Sequence, residues 1–146
     1  MHNVDVLSTI DFGQMLRTHN QHQALATLAV QDRPTSRYLL FDENDRLCGR
    51  RAGLTGESEP VHPVEPSHAL AFSGIHILSP RIFADMREEG IFSIIPMYLR
   101  LAAQKEPIFG FPADGYYWRD MGRPEHIAIA AREIEEGLYG VRFPAN

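Results

Sequence analysis

"HNVDVLSTIDFGQMLRTHNQHQALATLAV", residues 2–30, decides the fold class. "HNVDVL" reads as a strand, with Val4 and Val6 flanking Asp5 at a period of two. Asp11 can then supply the capping oxygen of a short helix on which Phe12, Met15, Leu16 and His19 share a face. "ALATLAV", residues 24–30, follows as a second strand, apolar almost throughout, as expected of a strand covered on both faces. Strand, helix and strand in succession predict an α/β architecture.

The alternation continues outward from this unit. "SRYLLFD" and "RLCGRR" flank "ENDR", whose Asn44 and Asp45 suit a turn, so residues 36–51 read as a β-hairpin. From Ala52 to Ser67 prolines and glycines break the pattern, and a loop is expected. "ALAFSGIHILS" is a long strand containing Gly74, after which Pro80 opens a helix through about Glu88. Ser93 caps a further helix with Ile94, Ile95, Met97, Tyr98, Leu101 and Ala102 on its apolar face. "PIFGFPA" and "YYWRDMG" are extended, and Pro124 starts a last helix that Gly137 stops. The order is β-α-β, hairpin, β-α-α-β-β-α, a mixed sheet with flanking helices.

At 146 residues the chain has room for one domain with a sizeable core, so 1–146 reads as a single domain. Fourteen basic against nineteen acidic residues give a net charge of −5, and Lys105 is the sole lysine, which argues against nucleic acid as a partner. The longest apolar stretches fall short of the roughly 20 residues of a membrane helix, so no membrane is expected. The single Cys48 excludes an internal disulfide, and residues 1–20 lack a secretory signal pattern. The chain therefore reads as cytoplasmic.

Four features carry possible chemistry. Asp5 in a central strand costs several kcal/mol to bury unless paired or bound to a cation; otherwise it stands at a strand end facing water. Asp120 closes "YYWRD" just before Gly122 and the helix at Pro124, a place where α/β sheets bind ligands beside helix N-termini. It is placed either to hold Mg²⁺ or to serve as a turn residue. Gly74 marks a close approach by a ligand or another segment, or a bulge, and His76 beyond it suits a packed core. His19 and His22 have a spacing that zinc sites use, but no further ligands accompany them, and a solvated helix surface is the alternative.

In order, "HNVDVLSTIDF", "ALATLAV", "SRYLLFDENDRLCG", "AFSGIHILSPRIF", "FSIIPMYLRLA" and "YWRDMGRPEHI" resemble the sugar-1-phosphate nucleotidyltransferases. That group includes mannose-1-phosphate guanylyltransferase-like and N-acetylmuramate-1-phosphate uridylyltransferase-like enzymes. The resemblance runs from about Asn3 to Glu136 and implies a partial Rossmann-like sandwich. It implies that Asp5, in "NVD", and Asp120, in "WRDMGRPE", bind the catalytic Mg²⁺, and that Gly74 approaches the sugar. The implied reaction is attack by a sugar-1-phosphate oxygen on the α-phosphorus of a nucleoside triphosphate, releasing pyrophosphate.

The departures from that pattern define a further expectation. No glycine-rich "GGxGTRLxPLT"-like loop, which would cradle the triphosphate, occurs in this sequence. The "EKP" segment is replaced by "GRRAGLTGESEP", where Arg50 or Arg51 is a substitute cation. Leu39 and Arg123 stand where a Gly and a Thr are commoner. The chain is thus expected to be the C-terminal, sugar-binding portion of such an enzyme, inactive alone, and to form a homo-oligomer through an exposed sheet edge. A non-catalytic sugar-phosphate-binding or oligomerising module is the alternative, and a metal hydrolase built on His19, His22 and Asp5 a more distant one.

Overall fold

The computed structural model describes residues 1–62 and 67–140. Its elements run β1 (Val6–Ser8), α1 (Phe12–Gln21), β2 (Ala26–Gln31), β3 (Arg37–Phe41), β4 (Leu47–Ala52), β5 (Ser58–Pro60) and β6 (His68–Leu78), then α2 (Ile82–Asp85), α3 (Ile94–Ala103), β7 (Ile108–Pro112), β8 (Trp118–Asp120) and α4 (Pro124–Glu135). The six-stranded sheet has the order β5-β4-β3-β6-β2-β7, and β1 pairs with β8 in a separate antiparallel ribbon. Among the described residues only β2 and β7 run parallel, so the sheet is mixed, as expected of a partial Rossmann-like α/β fold.

β2 shows why "ALATLAV" is apolar without a break. Its Ala26, Leu28 and Val30 join one core with Phe41 and Leu47 of the hairpin and Met97, Tyr98 and Leu101 of α3. Ala29 points the other way, into a second core with Ile10, Met15, Ile75 and Phe111. A strand between two cores has no face left for polar residues. The sheet also curls, since Gly110 N–H donates to the Asp45 carbonyl at 2.7 Å and Arg46 bridges to Phe109, covering the outer side of β7 with the hairpin turn.

The hairpin forms where its turn residues placed it, and Asp11 caps α1 by accepting from Gln14 N–H. Pro124 opens α4, and Gly137 follows it with φ +77°, in the left-handed region that glycine favours. Three readings change. β5 lies inside the stretch read as loop, of which residues 63–66 fall outside the described residues. α2 ends at Asp85 rather than near Glu88: Met86 turns extended, with ψ 124°, and Arg100 of α3 donates to the Asp85 carbonyl while pairing with Glu88. On α1 only Met15 and His19 are buried, whereas Phe12 and Leu16 stand half exposed.

The opening segment differs most. "HNVDVL" is not one strand: residues 1–3 pair with β6, the chain turns at Val4 and Asp5, and only then does β1 begin. His76 N–H donates to the Met1 carbonyl at 3.0 Å, Asn3 N–H donates to the Gly74 carbonyl at 2.9 Å, and His2 lies opposite Ile75. β3 meets β6 only at residues 68–71, so residues 1–3 occupy the length of β6 that β3 leaves free. No described helix is long and apolar enough to cross a membrane.

Candidate functional site

The turn that breaks the opening strand is what positions Asp5. It leaves the carboxylate exposed to water, which removes the desolvation cost expected of an Asp inside a central strand. The Asp5 main chain is held in place, since Met121 N–H donates to its carbonyl at 2.6 Å. β1 runs antiparallel to β8 with Val6 opposite Asp120, so the two acidic residues leave the ribbon at the same end.

Gly122 marks where they meet. A Cβ on that glycine would stand 3.0 Å from Asp120 Oδ1 and 3.4 Å from Asp5 Oδ2, so both carboxylates face one small space over its backbone. Gly122 N–H donates to Asp120 Oδ1 at 2.7 Å, which orients that carboxylate and makes Asp120 the turn residue of its alternative reading as well. His126 Nδ1 lies 3.9 Å from Asp120 Oδ1, buried and without a hydrogen-bond partner. Sequence reasoning missed His126; its place in the first turn of the helix after Asp120 was the available signal.

Two carboxylates on one space are a hard-oxygen donor set of the size that Mg²⁺ takes, leaving other positions for water and phosphate oxygens. Among the described residues no group of three or more His, Cys, Asp and Glu side chains is gathered, as a closed protein cage would need. The residues present fit a metal shared with a substrate.

Gly74 has φ +74°, and its close neighbour is a segment of this chain: a Cβ there would lie 2.8 Å from Nδ2 of Asn3. His76 is a core histidine as read, 3% exposed and hydrogen-bonded to Tyr98. His19 lies on neither a solvated surface nor, among the described residues, a metal-ligand group, but shares the buried side of α1 with Met15. It is buried, with Nδ1 2.9 Å from Thr27 Oγ1 and Nε2 3.0 Å from Ser79 Oγ. Ser79 donates its own proton to the Ala24 carbonyl, so Nε2–H donates to Ser79 and Nδ1 accepts from Thr27. Burial, then the Arg81 charge, lower the His19 pKa, which favours that neutral ring. His22 stacks on Phe109 instead, with ring centroids 4.3 Å apart.

The substitute cations are both engaged. Arg50 pairs with Glu59 at 2.7 Å, and Arg51 donates from Nε to the Gly53 carbonyl while lying over the Tyr38 ring.

The chain is similar to glucose-1-phosphate adenylyltransferases. That of Methylobacillus flagellatus is 30% identical over 96% of this chain and 38% of its own length. Those of Clostridium perfringens and Dechloromonas aromatica are each 27% identical, over 89% and 81% of this chain and 34% and 31% of their own lengths. The chain therefore spans about a third of the curated relatives it matches. Their names are those of sugar-1-phosphate nucleotidyltransferases, though of an adenylyl rather than a guanylyl or uridylyl enzyme. No family model matches the sequence.

Proposed function

We propose that this chain is the portion of a sugar-1-phosphate nucleotidyltransferase that holds the sugar phosphate and the metal. The observation that carries this reading is the convergence of the Asp5 and Asp120 carboxylates over Gly122. The relatives' names support glucose-1-phosphate as the sugar phosphate and an adenylyl group as the group transferred.

In this reading Asp5 and Asp120 hold Mg²⁺, which when bound neutralises phosphate charge between the two substrates. The chain's own groups do the positioning. Gly122 N–H fixes the direction of Asp120 Oδ1, and the Met121 N–H keeps the Asp5 turn beside it. The absence of a Cβ at Gly122 keeps the space between the carboxylates open. Gly74 serves the sugar through Asn3, whose carboxamide stands over it with donor and acceptor groups for hydroxyls. An oxygen of the sugar phosphate bonds to the α-phosphorus as the bond to pyrophosphate breaks, its electron pair leaving with pyrophosphate.

This sequence holds no glycine-rich triphosphate loop, and we place the triphosphate's other contacts outside it. Calorimetric titration tests the reading: glucose-1-phosphate with Mg²⁺ is expected to bind weakly, and more weakly still to Asp5→Ala and Asp120→Ala. The chain alone is expected to release no pyrophosphate from ATP and glucose-1-phosphate, and robust release would overturn that part. We further place a contact between copies at the outer side of residues 1–3, since β7 is covered by the hairpin turn. Light scattering is expected to show a dimer or larger assembly, and a stable monomer would remove that contact.

A further inference from the structure

Arg33 lies two residues past the end of β2, on the path to the hairpin. Its guanidinium carbon stands 3.8 Å from the centroid of the Trp118 ring. Trp118 is itself fixed, because its indole N–H donates to the Ser73 carbonyl at 2.7 Å. Arg33 Nη2 donates to the Phe72 carbonyl at 2.9 Å, while Nε is buried without a partner. Among the described residues Arg33 makes no ion pair.

This cation is unlike its neighbours. Arg119 beside it is neutralised by Glu133, and Arg50 by Glu59. Arg33 lines a cleft of about 510 Å³ with Gln31, Trp118 and Arg119 and with three acidic residues, of which Glu133 is paired with Arg119 and Asp114 accepts from Asp32 N–H. Burial lowers its pKa, which the Asp120 and Tyr38 charges partly offset, so the charge is poorly solvated and, among the described residues, no carboxylate is in ion-pair contact with it. A guanidinium held over an indole ring can still direct N–H groups at an oxyanion, to which they form bidentate bonds. Trp118 and Asp120 alternate with Arg119 along β8, so Arg33 lies on the face of the strand from which Asp120 also projects.

We propose that Arg33, held on the Trp118 ring on the side of β8 from which Asp120 projects, is an anion-binding residue that takes a phosphate group. On the nucleotidyltransferase reading, on which this further assignment rests, that group is the phosphate of the sugar-1-phosphate. Arg33 then supplies the positive charge for which the resemblance has a lysine, and Arg50 and Arg51 do not.

Trp118 is the sole tryptophan, so its emission reports on the stacked guanidinium. The full chain is titrated with inorganic phosphate, glucose-1-phosphate and glucose, in the wild type and in Arg33→Gln, Arg33→Lys and Arg37→Gln. Phosphate is expected to change the emission saturably and glucose to leave it unchanged. Arg33→Gln weakens phosphate binding about tenfold or more, Arg33→Lys weakens it less, and Arg37→Gln leaves it unchanged. In the wild type, which needs no variant to fold, the Arg33 Nε–H resonance is expected to shift on adding phosphate. A saturable titration that is the same in Arg33→Gln, or a resonance that phosphate does not move, overturns the assignment. If phosphate binds through Arg33 but glucose-1-phosphate binds no more tightly, the anion site stands and the sugar-phosphate reading falls.

Discussion

Nδ1 of His76 and the hydroxyl of Tyr98 stand 2.7 Å apart in the core, sharing a hydrogen bond that ties β6 to α3. Neither side chain is more than 3% exposed. Burial, and then the charge of the N-terminal ammonium, push the His76 pKa down from 6.5 to about 4.

Stability is therefore expected to fall as pH drops through the window from 6.5 to about 4. In that window the unfolded chain binds a proton at His76 that the folded chain refuses, and above it neither state does. The His76 share of the loss reaches ~3 kcal/mol once the pH is below both values. His19, also lowered, adds in the same direction. Urea unfolding at pH 7 and pH 4.5 measures the difference, and His76→Gln is expected to flatten it. An unchanged acid slope in that variant would show that other groups carry it.

His19→Ala is expected to cost about 2–3 kcal/mol, because it removes two hydrogen bonds and leaves the buried Thr27 hydroxyl without its acceptor. Thermal unfolding reads this directly, and a loss within a few tenths of a kcal/mol would make the bridge dispensable.

Gly74→Ala forces a left-handed backbone on a residue with a Cβ and drives that Cβ against the Asn3 amide. We expect a loss of roughly 2 kcal/mol, of which Asn3→Ala in the same chain recovers the steric part and not the backbone part. Full recovery in the double variant would mean that the backbone is unstrained.

Asp120→Asn keeps the oxygen that accepts from Gly122 N–H and removes one of two facing charges. Without divalent ions and at low salt the variant is expected to be slightly more stable than wild type. Its affinity for Mn²⁺, read by electron paramagnetic resonance, is expected to fall about tenfold. Asp5→Asn is expected to act alike, and unaltered Mn²⁺ binding in both would dissolve the paired site.

α4 buries little apolar surface, Ala130 being its buried residue, and its hold on β8 runs through Glu133. Tyr117 donates its hydroxyl proton to Glu133 Oε2 at 2.7 Å, and Arg119 pairs with the same carboxylate. Glu133→Ala is expected to speed hydrogen exchange across residues 124–135 about tenfold while leaving β2 and β6 protected. A uniform rise across the chain would instead mark a global loss of stability.

Much of this molecule was written locally. The unbroken apolarity of "ALATLAV" marked the strand between two cores, Asn44 and Asp45 marked the hairpin turn, and Asp11, Pro124 and Gly137 marked helix ends. Each is a short-range preference of backbone or side chain that needs no partner to be read. Asp5 and Asp120 stood out singly because an Asp beside a strand needs a reason. β5 was hidden because "SEP" has no strand pattern of its own and is held by β4.

What the sequence by itself determined was therefore the α/β class, most of the elements and the acidic residues worth watching. The tertiary structure alone decided that the opening segment divides between β6 and β8, that Asp5 and Asp120 meet over Gly122, that His19 bridges Thr27 and Ser79, and that Arg33 rests on Trp118. These pairings join residues far apart in the chain, and the alternation around Asp5 reads the same whichever strand it meets. Which partner wins is set by packing both cores and by keeping a lone carboxylate in water, and those are properties of the whole fold.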